Sequence, residues 1–326
     1  MILQTVKQAL SDATSSQKIF LGFSGGLDSS VLLHALWQLD FKPTLIHINH
    51  GLSPQANDWA LHAKTVAKQY QLPCEVFTLN DQPALGESIE AWAREARYKI
   101  FSSLIQKEDW LLLAHHLDDQ AETFFLQLLR GAGPKGLSSM ASHHPFGSGF
   151  LIRPLLSLSR KEIQAYADQQ KLTWISDESN EQIKFKRNFL RHHIFPALKE
   201  HFPGCLSTIA RSARLCADES EVLNELLQEK LPRLVEEQNP SVSRFYFKRD
   251  DFVTASEKLK RQLLRAWIFS VLSQGLNERH VDEIKKLLTA EHWGKSTVEV
   301  NSDGSRVIFS REKEVLKISS SRLHQT

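Results

Sequence analysis

Residues 19–33, IFLGFSGGLDSSVLL, decide the fold. The apolar run Lys18–Ser24 has the length and content of a buried strand, and it breaks at Gly25-Gly26. A helical pattern, Ser29–Leu39, follows directly. Glycines allow positive φ and let an anion come close to the backbone. The helix start beyond them supplies unpaired amides and a positive dipole end. Ser24 and Ser29 add hydroxyl donors, and Asp28 is suited to hold the Mg2+ that accompanies ATP. The candidate ATP site is therefore Ser24, Gly25, Gly26, Leu27, Asp28 and Ser29. The loop has no Gly-Lys-Ser/Thr and no GxGxxG, so it is neither a Walker cradle nor a dinucleotide turn. A glycine-rich turn without a ligand is the plainer alternative.

Outward from this loop, Thr44–His50, Cys74–Asn80 and Trp110–His115 also read as buried strands. Helical patterns at about Gln55–Gln71 and Glu87–Gln106 separate them. Phe150–Leu156 adds a last strand or closes the domain. Alternation of this kind predicts a parallel sheet with helices on both faces, and ligands at the carboxyl ends of its strands.

A second constellation, AHHLDDQAET (Ala114–Thr123), stands at such an end. If a helix starts near Leu117, Asp119 and Glu122 fall on one face at i and i+3, with His115 just ahead of them. Carboxylates near a helix start stay ionised and suit an amine or a metal ion. Asp118, Asp119 and Glu122 could equally serve as helix caps.

The chain has 326 residues, which predicts two or three domains. The net charge is +2, so overall charge does not mark a nucleic-acid binder. From Ile183 to Arg214, however, Lys184, Lys186, Arg187, Arg191, Lys199, Arg211 and Arg214 face a single acid, Glu200. Such a patch fits phosphate-backbone binding or a solvated surface. Beyond Pro203-Gly204, Gly204–Glu237, Ser256–Ser273 and Glu278–Ala290 read as helices, and Ser296–Ile318 as strands with turns at Asp303-Gly304 and Glu312-Lys313. The three cysteines, Cys74, Cys205 and Cys216, are scattered and fit a reducing, cytoplasmic setting. The first residues lack the apolar core of a signal peptide, and no run approaches a bilayer span, so no membrane role is expected.

Ser24–Ser29 carries the SGGxDS signature, and with it the sequence resembles the PP-loop ATP pyrophosphatases. HINHGLSP, EAWAREARY, AHHLDDQAETFFLQLLRGAGPKGLSSM, RPLLSLSRKEI, SDESN and RNFLRHHIFPAL extend the resemblance from about Ile19 to Leu198. Together they are similar to the tRNA(Ile)-lysidine synthetase family. The resemblance implies an α/β adenine nucleotide alpha hydrolase-like domain at 1–203, then a mainly helical tRNA-binding domain with a β tail at 204–326. It implies ATP-dependent ligation of free L-lysine to the wobble cytidine of the CAU anticodon of tRNA(Ile), through an adenylated cytidine. On that reading Asp28, Arg97, His115, Asp119 and Glu122 are catalytic candidates, with lysine on Asp119 and Glu122. Lys184, Lys186, Arg187 and Arg191 would meet the tRNA. Arg97 has a surface ion pair with Glu90 or Glu95 as its alternative, and Gly131-Ala132-Gly133 would let RNA or nucleotide approach the backbone, with a helix C-cap as the alternative for Gly131. The amine's proton acceptor could be Asp28 or Asp119. A homodimer is compatible with this reading. Longer family members carry a further C-terminal domain, which leaves full-strength tRNA binding open. The alternatives are a tRNA thiolase of the same superfamily, which would require a cysteine in the site, and a catalytically dead nucleotide- or RNA-binding protein, which would lack the acids.

Overall fold

The strand and helix periods read from the sequence reappear in the computed structural model. It describes residues 1–326 except 15–16, 80, 82, 84–87, 176–185, 238–244, 249–251, 273–275, 290–296, 303–304, 313–314 and 323–326. The SDESN segment, Lys184 and the turns expected at Asp303-Gly304 and Lys313 lie outside the described residues, as does the side chain of Glu90. Contacts divide the chain into two units, Met1–Ala217 and Asp218–Thr326.

In the first unit, β1 (Ile19–Gly22), β2 (Thr44–Asn49), β3 (Cys74–Thr78), β4 (Trp110–Leu112), β5 (His143–Phe146) and β6 (Gly149–Ile152) form a sheet in the order β3-β2-β1-β4-β6-β5. All neighbours pair in parallel except β5, which returns antiparallel on β6. The helices are α1 (Ile2–Ala9), α2 (Leu27–Gln38), α3 (Ala56–Gln69), α4 (Ile89–Leu104), α5 (Leu117–Leu128), α6 (Pro134–Leu137) and α7 (Arg160–Gln169). They are followed by α8 (Lys186–Phe189), a π-helical turn (Leu190–Ile194) and α9 (Phe195–His201), which run on without a break.

Alternate strand residues point to opposite faces. Leu21, Leu45, Leu112 and Ile152 pack with residues of α1, α2 and α7. Phe20, Ile46, Leu111 and Leu151 pack on the other side with Phe101 of α4. A sheet covered on both faces explains why its strands read as near-continuous apolar runs. The strand order reverses between β1 and β4, so the loops leaving those strands splay apart. That is where such sheets hold ligands.

The second unit contains the end of α10 (Cys205–Leu234), then α11 (Glu257–Leu272) and α12 (Glu278–Thr289). Its sheet is antiparallel, built from β7 (Val235–Glu237), β8 (Phe245–Lys248), β9 (Thr297–Ser302), β10 (Ser305–Glu312) and β11 (Val315–Arg322), in the order β7-β8-β11-β10-β9. Trp267, Ile268, Ile284, Leu288, Val307 and Phe309 are central to its core. The helical reading of Gly204–Glu237 needs correction at its end, because Val235–Glu237 pairs with Phe245–Lys248 as a strand. Pairing across an intervening segment outweighed a local pattern that continued as helix. The β element is thus larger than the terminal strands alone suggested.

Gly149 shows how tightly the first sheet is closed. A Cβ there would strike the main-chain oxygens of Asp109 and Gln106, the latter at 2.8 Å. Gly149→Ala is expected to destabilise the first unit by about 2–3 kcal/mol, seen as a lower denaturation midpoint. Gly133→Ala, with nothing within 4 Å of its Cβ, should leave the midpoint nearly unchanged. Equal midpoints for the two variants would contradict this packing account.

Candidate active site

The glycine loop joins β1 to α2. Gly25 has φ +82°, which L side chains rarely adopt, and Gly26 is the N-cap of α2. The loop is held from within. Ser29 Oγ donates to Gly26 O at 3.1 Å, which leaves Ser24 Oγ to donate to Ser29 Oγ at 3.1 Å while accepting from Gly26 N–H at 3.2 Å. Gly25 O also accepts from Ile175 N–H at 2.9 Å. The helical ladder opens with Ser30 N–H to Gly26 O, so the amides of Leu27, Asp28 and Ser29 precede it. Those three amides form the open start of α2.

Asp28 stands in this first turn with its Oδ1 buried and without a hydrogen-bond partner. Burial raises its pKa above the ordinary carboxyl value; His116 opposes this and Asp119 adds to it. An orphaned carboxylate oxygen at a helix start is a fit place for a hydrated cation or a donor from a ligand.

Across the rim, β4 ends and α5 begins at Leu117, the position the sequence indicated. His116, not His115, is the N-cap. Its Nδ1 accepts the Asp119 N–H at 3.4 Å, and its own N–H is received by Asp119 Oδ2 at 3.1 Å. Because Nδ1 accepts, Nε2 carries the ring N–H. That atom lies 3.4 Å from Asp119 Oδ2 and 3.7 Å from Asp28 Oδ1. His116 therefore links the glycine loop to α5.

His115 faces elsewhere. Its Nδ1 accepts from Arg153 Nε at 3.2 Å, and Arg153 also donates to Ala141 O. Burial drives the His115 pKa down to about 3, with Asp119 pulling the other way and Arg153 adding to the fall. Neighbouring residues at a strand end point to opposite sides, which is why the pair divides. The sequence reading missed His116. The sequence offered no cue, since the usual capping box opens with Ser or Thr.

Asp119 and Glu122 do lie on one face of α5, and both meet arginine. Arg191 forks onto Glu122, Nε to Oε1 at 2.7 Å and Nη2 to Oε2 at 2.9 Å, and Nη2 also reaches Asp119 Oδ1 at 3.3 Å. Arg187 Nε lies 3.3 Å from Glu122 Oε2, and its Nη2 donates to Thr123 Oγ1 at 2.9 Å. Glu122 is 1% exposed. Burial pushes its carboxyl upward against the pull of Arg191. Burial would also raise Asp119, but His116, His115 and the His116 N–H hold it below its ordinary value. Arg187 and Arg191 thus turn inward to the acids, while Lys186 is exposed. Asp118 joins two other elements, accepting from Arg160 N–H at 2.9 Å and Lys199 Nζ at 2.8 Å. Gln120 pins the following loop through both Met140 backbone groups at 3.0 Å.

Arg97, on α4, lies beside His50 at the end of β2. Burial, with Arg97 and His47 adding to it, lowers the His50 pKa to about 4. Gly131, expected as a helix C-cap or an approach point, has φ +73° and follows α5, with nothing within 4 Å of where a Cβ would sit. Cys74 begins β3, at the end of the strand remote from its carboxyl edge, and Cys205 and Cys216 lie on α10.

The PP-loop domain family matches residues 1–198 of this chain. A tRNA(Ile)-lysidine synthase of Vibrio cholerae is 44% identical over 256 residues, covering 77% of this chain and 57% of that protein. One from Francisella philomiragia is 38% identical over 287 residues, covering 87% of this chain and 69% of that protein. The chain thus spans little more than half the length of the Vibrio protein. Among solved structures, a U34-tRNA thiolase from Methanococcus maripaludis superposes with a TM-score of 0.56 at 18% identity, covering 66% of this chain and 78% of that one. That likeness shows a shared fold.

Two measurements probe the charge arrangement. Arg191→Met leaves Glu122 buried without its fork and should cost about 3–5 kcal/mol of stability; Glu122→Gln in the same chain should recover most of it. Recovery absent from the double variant would mean that Arg191 acts elsewhere. Asp118 has burial working to raise its pKa, but the Arg160 N–H and Lys199 bring it below 3.8. A depressed folded pKa contributes stability above the unfolded value and loses it as pH falls through the folded one. Asp118→Asn should therefore cost about 1 kcal/mol at neutral pH. The gap to the unsubstituted chain should close as pH drops below 3.8 in denaturation series.

Proposed function

Because this chain belongs to the PP-loop domain family, and within it to the tRNA(Ile)-lysidine synthases, we propose that it joins free L-lysine to the wobble cytidine of a CAU anticodon in tRNA(Ile). The observation that carries this reading is the meeting of Asp28, His116, Asp119 and Glu122 between the glycine loop and α5. An anion-binding helix start and an acid cluster face each other across one rim, as a reaction between a triphosphate and an amine requires.

In this reading the amides of Leu27, Asp28 and Ser29, with the Ser24 and Ser29 hydroxyls, receive ATP phosphates. The unpartnered Asp28 Oδ1 fits the Mg2+ that accompanies them; when bound, that ion supplies positive charge to the phosphates. The cytidine O2 attacks the α-phosphorus and pyrophosphate leaves. The lysine ε-amine then attacks C2, the C2–O2 bond breaks, and AMP departs with that oxygen. The amine must lose a proton as the C–N bond forms. Asp28 and Asp119 both stand in the cluster as candidate acceptors. Asp119 and Glu122 supply the negative pole for the lysine ammonium. Arg191 already engages Glu122, so lysine either shares the cluster with that guanidinium or displaces it. His115, kept neutral by burial, accepts a hydrogen bond from Arg153. Arg97 and His50 bound the β2 side. Three free cysteines and no described helix long and apolar enough to cross a membrane are compatible with a cytoplasmic setting.

Incubation with ATP, labelled lysine and tRNA(Ile) tests the reading. The expected result is lysine-dependent release of AMP and pyrophosphate with label entering the tRNA. Asp28→Asn should lower the rate about a hundredfold or more. Sulfur-dependent turnover instead, or AMP release indifferent to lysine, would refute the assignment.

A further inference from the structure

The run Lys186–His201 has two differently equipped sides. Its inner side carries Asn188, Leu190 and Phe195, all buried, together with the Arg187 and Arg191 contacts to α5. On its outer side Lys186, Phe189, His192 and His193 are exposed. Phe189 is 45% exposed, and the His193 ring stacks on it with centroids 5.2 Å apart and planes 29° from parallel. A lone exposed aromatic needs no explanation. Here two rings are stacked at a spacing of four residues, in a run whose charged residues are Lys186, Arg187, Arg191, Lys199 and the single acid Glu200.

That combination of an open π face with positive charge is what single-stranded nucleic acid binds: bases stack on the ring and cations follow the backbone. A cytidine delivered to a protein site must leave its stack, and its neighbours in the loop then lose a stacking partner. We propose that Phe189 and His193 form a stacking platform for an anticodon-loop base next to the target cytidine, with Lys186 at the adjoining phosphate. The proposal rests on the tRNA-modifying reading above and names a part of the protein that meets the RNA outside the acid cluster. It also separates roles within one short helix: Arg187 and Arg191 serve the buried acids, and the outer residues serve the RNA.

The experiment compares Phe189→Ala, Phe189→Leu, Phe189→Trp and Lys186→Glu in the full chain, each checked for unaltered thermal unfolding. Binding of an anticodon stem–loop RNA is measured over a range of salt, alongside KM and kcat for lysidine formation. Phe189→Ala and Phe189→Leu should each weaken RNA binding and raise the tRNA KM by about tenfold, with ATP and lysine KM unchanged and the salt slope preserved. Phe189→Trp should stay close to the unsubstituted protein, and Lys186→Glu should flatten the salt slope by about one unit or more. Rescue by Leu as complete as by Trp, or unaltered RNA binding in Phe189→Ala, would overturn the platform and point to a protein contact or a plain surface residue. Should the unsubstituted chain make no lysidine, the catalytic reading fails by itself, and the stem–loop titration still decides on Phe189.

Discussion

A carboxylate withdrawn from water organises this site. Glu122 is 1% exposed, and an ionised group at that depth is tolerated only with a cation and directed hydrogen bonds around it. Arg191 supplies a two-pronged contact, and Arg187 stands against the same carboxylate. These contacts tie α5 to the helical run that begins at Lys186. Apolar packing of Ala121 and Phe125 with Leu190 and Phe195 supports the same junction. From α5 the connection continues through His116 to Asp28 and hence to the glycine loop. Elements far apart in sequence are thus fastened around one negative centre.

The same arrangement divides the acids by chemistry. Asp119 is the more deeply buried of the two, yet His116, His115 and the His116 N–H hold its pKa low, whereas burial of Asp28 raises its pKa with fewer donors to oppose it. Two like carboxylates are thus set apart by their surroundings. His116, with its ring proton on Nε2, stands between the two.

Much of this was legible in the sequence. The strands announced themselves because a sheet buried on both faces needs continuous apolar runs, and the Gly25-Gly26 break could be read from backbone chemistry alone. The acids Asp119 and Glu122 followed from helical spacing. What escaped depended on direction rather than identity. His115 and His116 differ only in which way each points from the end of β4, and composition carries no sign of that. Arg187 and Arg191 read as phosphate-tracking charge, and a charge count does not reveal that both also engage acids some seventy residues earlier. Val235–Glu237 was read as helix because its strand partner lies across an intervening segment.

The π-helical turn at Leu190–Ile194 has a consequence for how the two sides of its helix are phased. Each residue of an α-helix advances roughly 100° about the axis, and a wider turn absorbs one extra residue without breaking the rod. Arg191 and His193 both lie inside that turn, one aimed at the buried acids and the other laid on Phe189. Ironing the turn into regular α-helix would swing everything downstream around the axis while the upstream half stayed put. The irregularity therefore works as a gearing, setting the angle between the side that handles charge and the side that offers a ring.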